Sequence, residues 1–109
     1  MKQDNRKHPR IARPLEARFI GSSGGSPCRV ADISWGGCFV QCLAEARVGE
    51  RTVVTPTING GAVDLPAVVV YRVHGIGFGV QFDPMSQEQV DALHGLLGEP
   101  PPGVGPKKG

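Results

Sequence analysis

Two short runs near the start of the chain carry the side chains best suited to holding a charged aromatic ligand. Arg6-Lys7-His8-Pro9-Arg10 reads RxxxR, and Asp32-Ile33-Ser34-Trp35-Gly36-Gly37 reads DxSxxG. A guanidinium is a planar fork of N–H donors that matches phosphate oxygens, or the O6 and N7 edge of guanine, in a way a lysine cannot reproduce. An ionised Asp only accepts; it repels a phosphate and suits the donor edge of guanine. Each run also has a plain origin. The arginines can be solvated charges on a terminal segment, and Asp32 and Ser34 can bond local backbone while Gly36-Gly37 reverses the chain. Their conjunction, with one apolar stretch between them, is rarer than either alone and points to an anionic nucleotide as ligand.

Other chemistries find less support. Cys28, Cys38 and Cys42 are an odd set without CxxC spacing, which fits reduced thiols better than a disulfide framework or a zinc site. His8, His74 and His94 are scattered, and no pair has metal-ligand or triad spacing. Gly75, Gly77 and Gly79 give GxGxG inside an apolar alternation with no helix directly after it, so a dinucleotide fingerprint is rejected. Ser34 lacks the G-x-S-x-G elbow, and no carboxylate pair suggests acid-base work, so the chain is not expected to be an enzyme and no cofactor is expected.

The elements that must position these groups follow from the pattern of apolar runs. At 109 residues and 39% hydrophobic, the chain suits one small domain. The net charge of +2 is too small for a general polyanion binder, but Lys2, Arg6, Lys7, Arg10, Arg13 and Arg18 crowd the first stretch against Asp4 and Glu16. Residues 1–14, with Pro9 and Pro14, read as an extended, flexible basic arm carrying RxxxR. Strand-length apolar runs then alternate with Gly-, Ser- or Pro-rich breaks at 15–21, 28–33, 38–42, 51–58, 62–73 and 76–82. Six short strands imply an antiparallel barrel or sandwich, mainly all-β.

Local signals refine this. Asn59-Gly60-Gly61 predicts a tight hairpin, because Asn and Gly tolerate the positive φ such turns require. Period-two alternation puts Ile76, Phe78, Val80 and Phe82 on a core face. Ser86 with Gln89 three residues on predicts a capped helix, with Val90, Leu93 and Leu97 on one side. The Pro/Gly-rich residues 98–109 predict a disordered tail. The polar start, and the lack of any apolar run long enough to span a bilayer, point to the cytoplasm and to no membrane insertion.

Over residues 5–97, with both motifs intact and a late Gly-Phe-Gly-Val-Gln-Phe strand before a helix, the chain resembles the PilZ domain family. That family pairs RxxxR with a downstream (D/N)xSxxG and binds the bacterial second messenger cyclic di-GMP. The resemblance implies a six-stranded antiparallel barrel with a short C-terminal helix over 15–97, and an arm that closes over ligand to alter a surface for an effector protein. It implies ligand contacts from Arg6, Arg10, Asp32, Ser34 and Gly37, with Lys7, Trp35 and Tyr71 as additional candidates. Asn5 stands where members often carry another basic residue, leaving monomer or stacked-dimer ligand open. A ligand-independent adaptor is the alternative. A small nucleic-acid-binding barrel is weaker, given 6% aromatic residues.

Overall fold

The computed structural model describes residues 14–22 and 24–105. Within them lie seven strands and one helix: β1 (Leu15–Gly21), β2 (Gly24–Ile33), β3 (Gly37–Gln41), β4 (Arg51–Ile58), β5 (Gly61–Ala62), β6 (Leu65–Val73), β7 (Gly77–Phe82) and α1 (Gln87–Leu97). Alternation decides which way each strand faces. Ala17 and Phe19 of β1 are buried between exposed Glu16, Arg18 and Ile20, and Thr52, Val54, Pro56 and Ile58 of β4 are buried in the same rhythm.

All neighbouring strands are antiparallel, in the order β1-β2-β3-β7-β6-β4, and β1 pairs again with β4. Six strands therefore close into a barrel, and the short β5 is an appendage of β4. Closure leaves no long unpaired edge on the wall. Inside, Phe19 and Phe78 meet edge to face with centroids 4.9 Å apart, surrounded by Val30, Ile33, Val40, Val54, Leu65 and Val69.

The β4–β5 hairpin turns at Asn59 (φ 53°) and Gly60 (φ 82°), both left-handed, as the Asn-Gly signal requires. Ser86 starts α1 with a reciprocal cap: its hydroxyl accepts the Gln89 N–H at 3.2 Å, and Gln89 Oε1 accepts the Ser86 N–H at 2.8 Å. Val90 and Leu93 are buried in the core cluster, and the helix packs against β4. No helix among the described residues is long and apolar enough to cross a membrane.

Three sequence expectations shift. The second strand starts at Gly24 rather than Cys28, because Gly24 at φ 105° closes a tight hairpin and lets 24–27 pair with β1. The run 62–73 is broken at Val63-Asp64. There Val63 N–H turns to Pro56 O (3.0 Å), and Asp64 takes hydrogen bonds from Thr55 Oγ1 (2.9 Å) and, through its carbonyl, Gln89 Nε2 (2.7 Å). Ile76 is 52% exposed and not core: its N–H closes the β6–β7 turn onto Val73 O, so inward alternation begins only at Phe78. Within the Pro/Gly tail, Val104 is partly buried against the core, its N–H donating to Pro101 O at 3.3 Å.

Candidate functional site

The DxSxxG run forms the end of β2, the following turn and the start of β3. Ser34 N–H donates to Gly37 O at 2.9 Å, and the Ser34 hydroxyl donates to the same carbonyl at 3.4 Å. Ser34 is buried, so its hydroxyl serves the turn. Trp35 folds into the core at 4% exposure, which removes its ring as a stacking surface in this conformation. Its Nε1–H finds no hydrogen-bond partner among the described residues.

Asp32 reaches the outside of the barrel through a β-bulge. Val30 pairs with Val40 and Asp32 with Phe39, so Ala31 is an extra residue in β2. Side chains alternate along a strand, so in an unbulged strand Asp32, two residues on, would share the inward direction of fully buried Val30. The bulge turns Asp32 outward and returns Ile33 to the core, where it is fully buried.

A second bulge does the same for Tyr71. Val69 pairs with Val80 and Tyr71 with Gly79, leaving Val70 extra in β6. Val69 is buried, whereas Tyr71 is 46% exposed and lies with its ring across Gly79. A Cβ at Gly79 would run into that ring. Phe39, also outward and paired with Gly79, stacks on Tyr71 with centroids 6.1 Å apart and planes 25° from parallel. One row across four strands thus reads Asp32, Phe39, Gly79, Tyr71. It sets a carboxylate beside two aromatic rings, an arrangement suited to a planar ligand with donor groups.

Gly37 stands for a different reason than contact with ligand alone. A Cβ there would collide with Val80 O on β7, so the glycine is already required by the approach of the two strands. Gly77 does the same at the other end of the β3–β7 ladder, against Val40 O. The structure therefore brings Asp32, Ser34, Gly37 and Tyr71 into one region of the barrel, and turns Trp35 away. Arg6, Lys7 and Arg10 lie outside the described residues. Phe39 was missed, although its place between buried Cys38 and Val40 signals an outward ring.

A closed six-stranded antiparallel barrel capped by one C-terminal helix, with DxSxxG on the second hairpin, defines a distinct class of small β-barrel domain. The PilZ domain family model matches residues 4–99, and the chain belongs to that family. Among solved structures it is similar to the PilZ domain of CeSA from a cellulose-synthesizing bacterium: TM-score 0.64, 18% identity, covering 82% of this chain and 94% of that one. It is also similar to the Bacillus subtilis inhibitor of motility MotI/DgrA: TM-score 0.68, 14% identity, covering 87% of this chain and 50% of that one. No curated protein matches by sequence at a significant level.

Proposed function

We propose that this chain is a bacterial cytoplasmic receptor for cyclic di-GMP, in which the RxxxR arm closes over the ligand and alters the surface offered to an effector protein. The observation that carries this reading is the outward row of Asp32, Phe39 and Tyr71, created by two bulges and lying beside the start of β1. Leu15, the first residue of β1, pairs with Val30, two residues from Asp32, so the segment bearing Arg6 and Arg10 joins the barrel next to the carboxylate. Asp32 accepts from the donor edge of a guanine, Phe39 and Tyr71 offer ring faces to a base, and the arginines take phosphate and the O6/N7 edge. Lys7 adds a phosphate contact. Gly37 keeps the turn close to β7, and Ser34 holds the turn that presents Asp32.

Calorimetry with cyclic di-GMP tests the site, with GTP and a single-stranded oligonucleotide as comparisons. Arg10→Ala and Asp32→Ala should each weaken binding by about 1.5 to 3 kcal/mol, roughly tenfold to a hundredfold. Unchanged affinity in both removes the proposed site. Strongly salt-dependent binding to the oligonucleotide would favour a nucleic-acid barrel instead.

A further inference from the structure

Three thiols are present, and two of them face each other at the barrel end remote from Asp32. The β2–β3 register ends with Arg29 opposite Gln41, so Cys28 and Cys42 are the next residues of the two segments beyond that last rung. Both are half-buried, at the positions that continue the inward alternation of Val30 and Val40. The Cys42 Sγ lies 3.9 Å from the carbonyl oxygen of Pro27, the neighbour of Cys28. Residues directly opposite in an antiparallel pair have Cα atoms about 4.5 to 5.5 Å apart, inside the range of about 4.4 to 6.8 Å that a disulfide bridges.

We propose that Cys28 and Cys42 are an oxidisable pair that closes an intramolecular disulfide when the protein meets a peroxide. Cys42 is the sulfur attacked first. It lines an open groove of about 500 Å³ together with Pro27, Leu43, Ala44 and Ile76, where a small oxidant can reach its sulfur, and it accepts the Ala44 N–H at 3.5 Å. Burial pushes the Cys28 thiol up to about 12, with Cys42 nearby adding to the effect, so Cys28 stays protonated and acts second. Cys38 is buried, with its thiol raised further by burial, and takes no part.

The steps balance. The Cys42 thiol reacts with hydrogen peroxide, the O–O bond breaks, and a sulfenic acid and one water form. The Cys28 sulfur then displaces the sulfenic hydroxyl, its own proton leaving with that oxygen as a second water, and the S–S bond forms. Each sulfur is oxidised by one electron and the peroxide is reduced by two. The bond ties the chain leaving β3, which carries 92% exposed Leu43, to β2.

Intact-mass measurement of the whole protein after equimolar hydrogen peroxide tests this. The expected result is loss of two hydrogen atoms per molecule, reversed by dithiothreitol. Trypsin with chymotrypsin, cutting after Arg29 and after Phe39, separates the three cysteines and should yield a peptide joining Cys28 to Cys42. In Cys28→Ser, dimedone should trap a sulfenic acid on Cys42, while Cys38→Ala should still close the bond. If Cys38→Ala does not fold, the peptide map of the unaltered chain decides alone. A link through Cys38, a dimer joined between chains, no loss of hydrogen, or dimedone absent from Cys42 in Cys28→Ser overturns the proposal.

Discussion

Replacing Gly37 with alanine separates strand packing from ligand contact at the DxSxxG turn. The new Cβ would collide with Val80 O and lie 3.1 Å from Val80 C and 3.2 Å from Gln81 Cα, nearer than the 3.4 Å at which ordinary contact begins. All three atoms are backbone, so no side chain can swing aside; β3 and β7 must part at the Gly37–Gln81 rung. Overpacking of this kind costs about 1 to 3 kcal/mol, and a weakened ladder hydrogen bond about 0.5 to 1.5 more. Gly37 does not have a positive φ, so alanine is conformationally allowed and recovers about 0.4 to 1 kcal/mol by restricting the unfolded chain. The clash wins, leaving a net loss of about 0.5 to 4 kcal/mol.

Urea unfolding followed by the fluorescence of Trp35, the single tryptophan and a core residue, measures that loss. Gly77→Ala is the matched comparison. Its Cβ meets Val40 O, with Val40 C at 3.0 Å and Gln41 Cα at 3.1 Å, so it should cost as much while lying at the opposite end of the ladder from Asp32. Gly61→Ala is the neutral comparison, with its nearest neighbour at 3.8 Å. Gly37→Ala as stable as Gly61→Ala would refute the packing argument. Equal stability losses at Gly37 and Gly77, with cyclic di-GMP affinity reduced only at Gly37, would give Gly37 a part in both.

Three further outcomes are expected. Gly79→Ala drives the Tyr71 ring off its seat; because a flexible side chain yields rather than backbone, stability should change by less than about 1 kcal/mol, while near-ultraviolet dichroism and cyclic di-GMP affinity report the lost Phe39–Tyr71 stack. Phe19→Ala removes a fully buried ring and its partner contact with Phe78, a loss of about 3 to 5 kcal/mol in the same urea assay. The backbone N–H groups of Ser22 (2.8 Å) and Arg47 (3.0 Å) hold the Glu50 carboxyl below the usual carboxylate range. A depressed acid contributes stability above its unfolded pKa and loses it as pH falls through the folded pKa. The gap in urea midpoint between the unaltered protein and Glu50→Gln should therefore be widest at neutral pH and close on acidification below the usual carboxylate range.

Legibility in the sequence followed the range of the interactions involved. β1 and β4 were bounded correctly, since each is an uninterrupted alternation between polar breaks, and the Asn59-Gly60 turn and the Ser86–Gln89 cap are written in neighbouring residues. What failed was non-local. Nothing within Ala31 or Val70 announces a bulge; each is an extra residue only relative to the partner strand. The outward row at the candidate site depends on both bulges, so the DxSxxG motif and the family resemblance point to Asp32 and Tyr71 without placing them together. Trp35 lies in the core although it sits within a polar, glycine-rich turn, because the cluster that buries it is assembled from residues as distant as Val90 and Leu93. Gly37 and Gly77 likewise owe their identity to carbonyls of the facing strand.

Because β1 is hydrogen-bonded to β2 on one side and β4 on the other, the point where residues 1–14 join the wall is fixed. The four peptide units from Arg10 to Pro14 span at most about 14 Å. In the proposed site, a guanine seated at Asp32 meets the arginines as tethered groups, at an effective concentration on the order of millimolar. The same RxxxR segment supplied as a free peptide would have to reach that concentration to act equally, and inserting flexible residues at Pro14 would dilute it. Under the proposed function, the double anchoring of one strand would convert two weak half-sites into a single tethered closure whose strength is set by chain length.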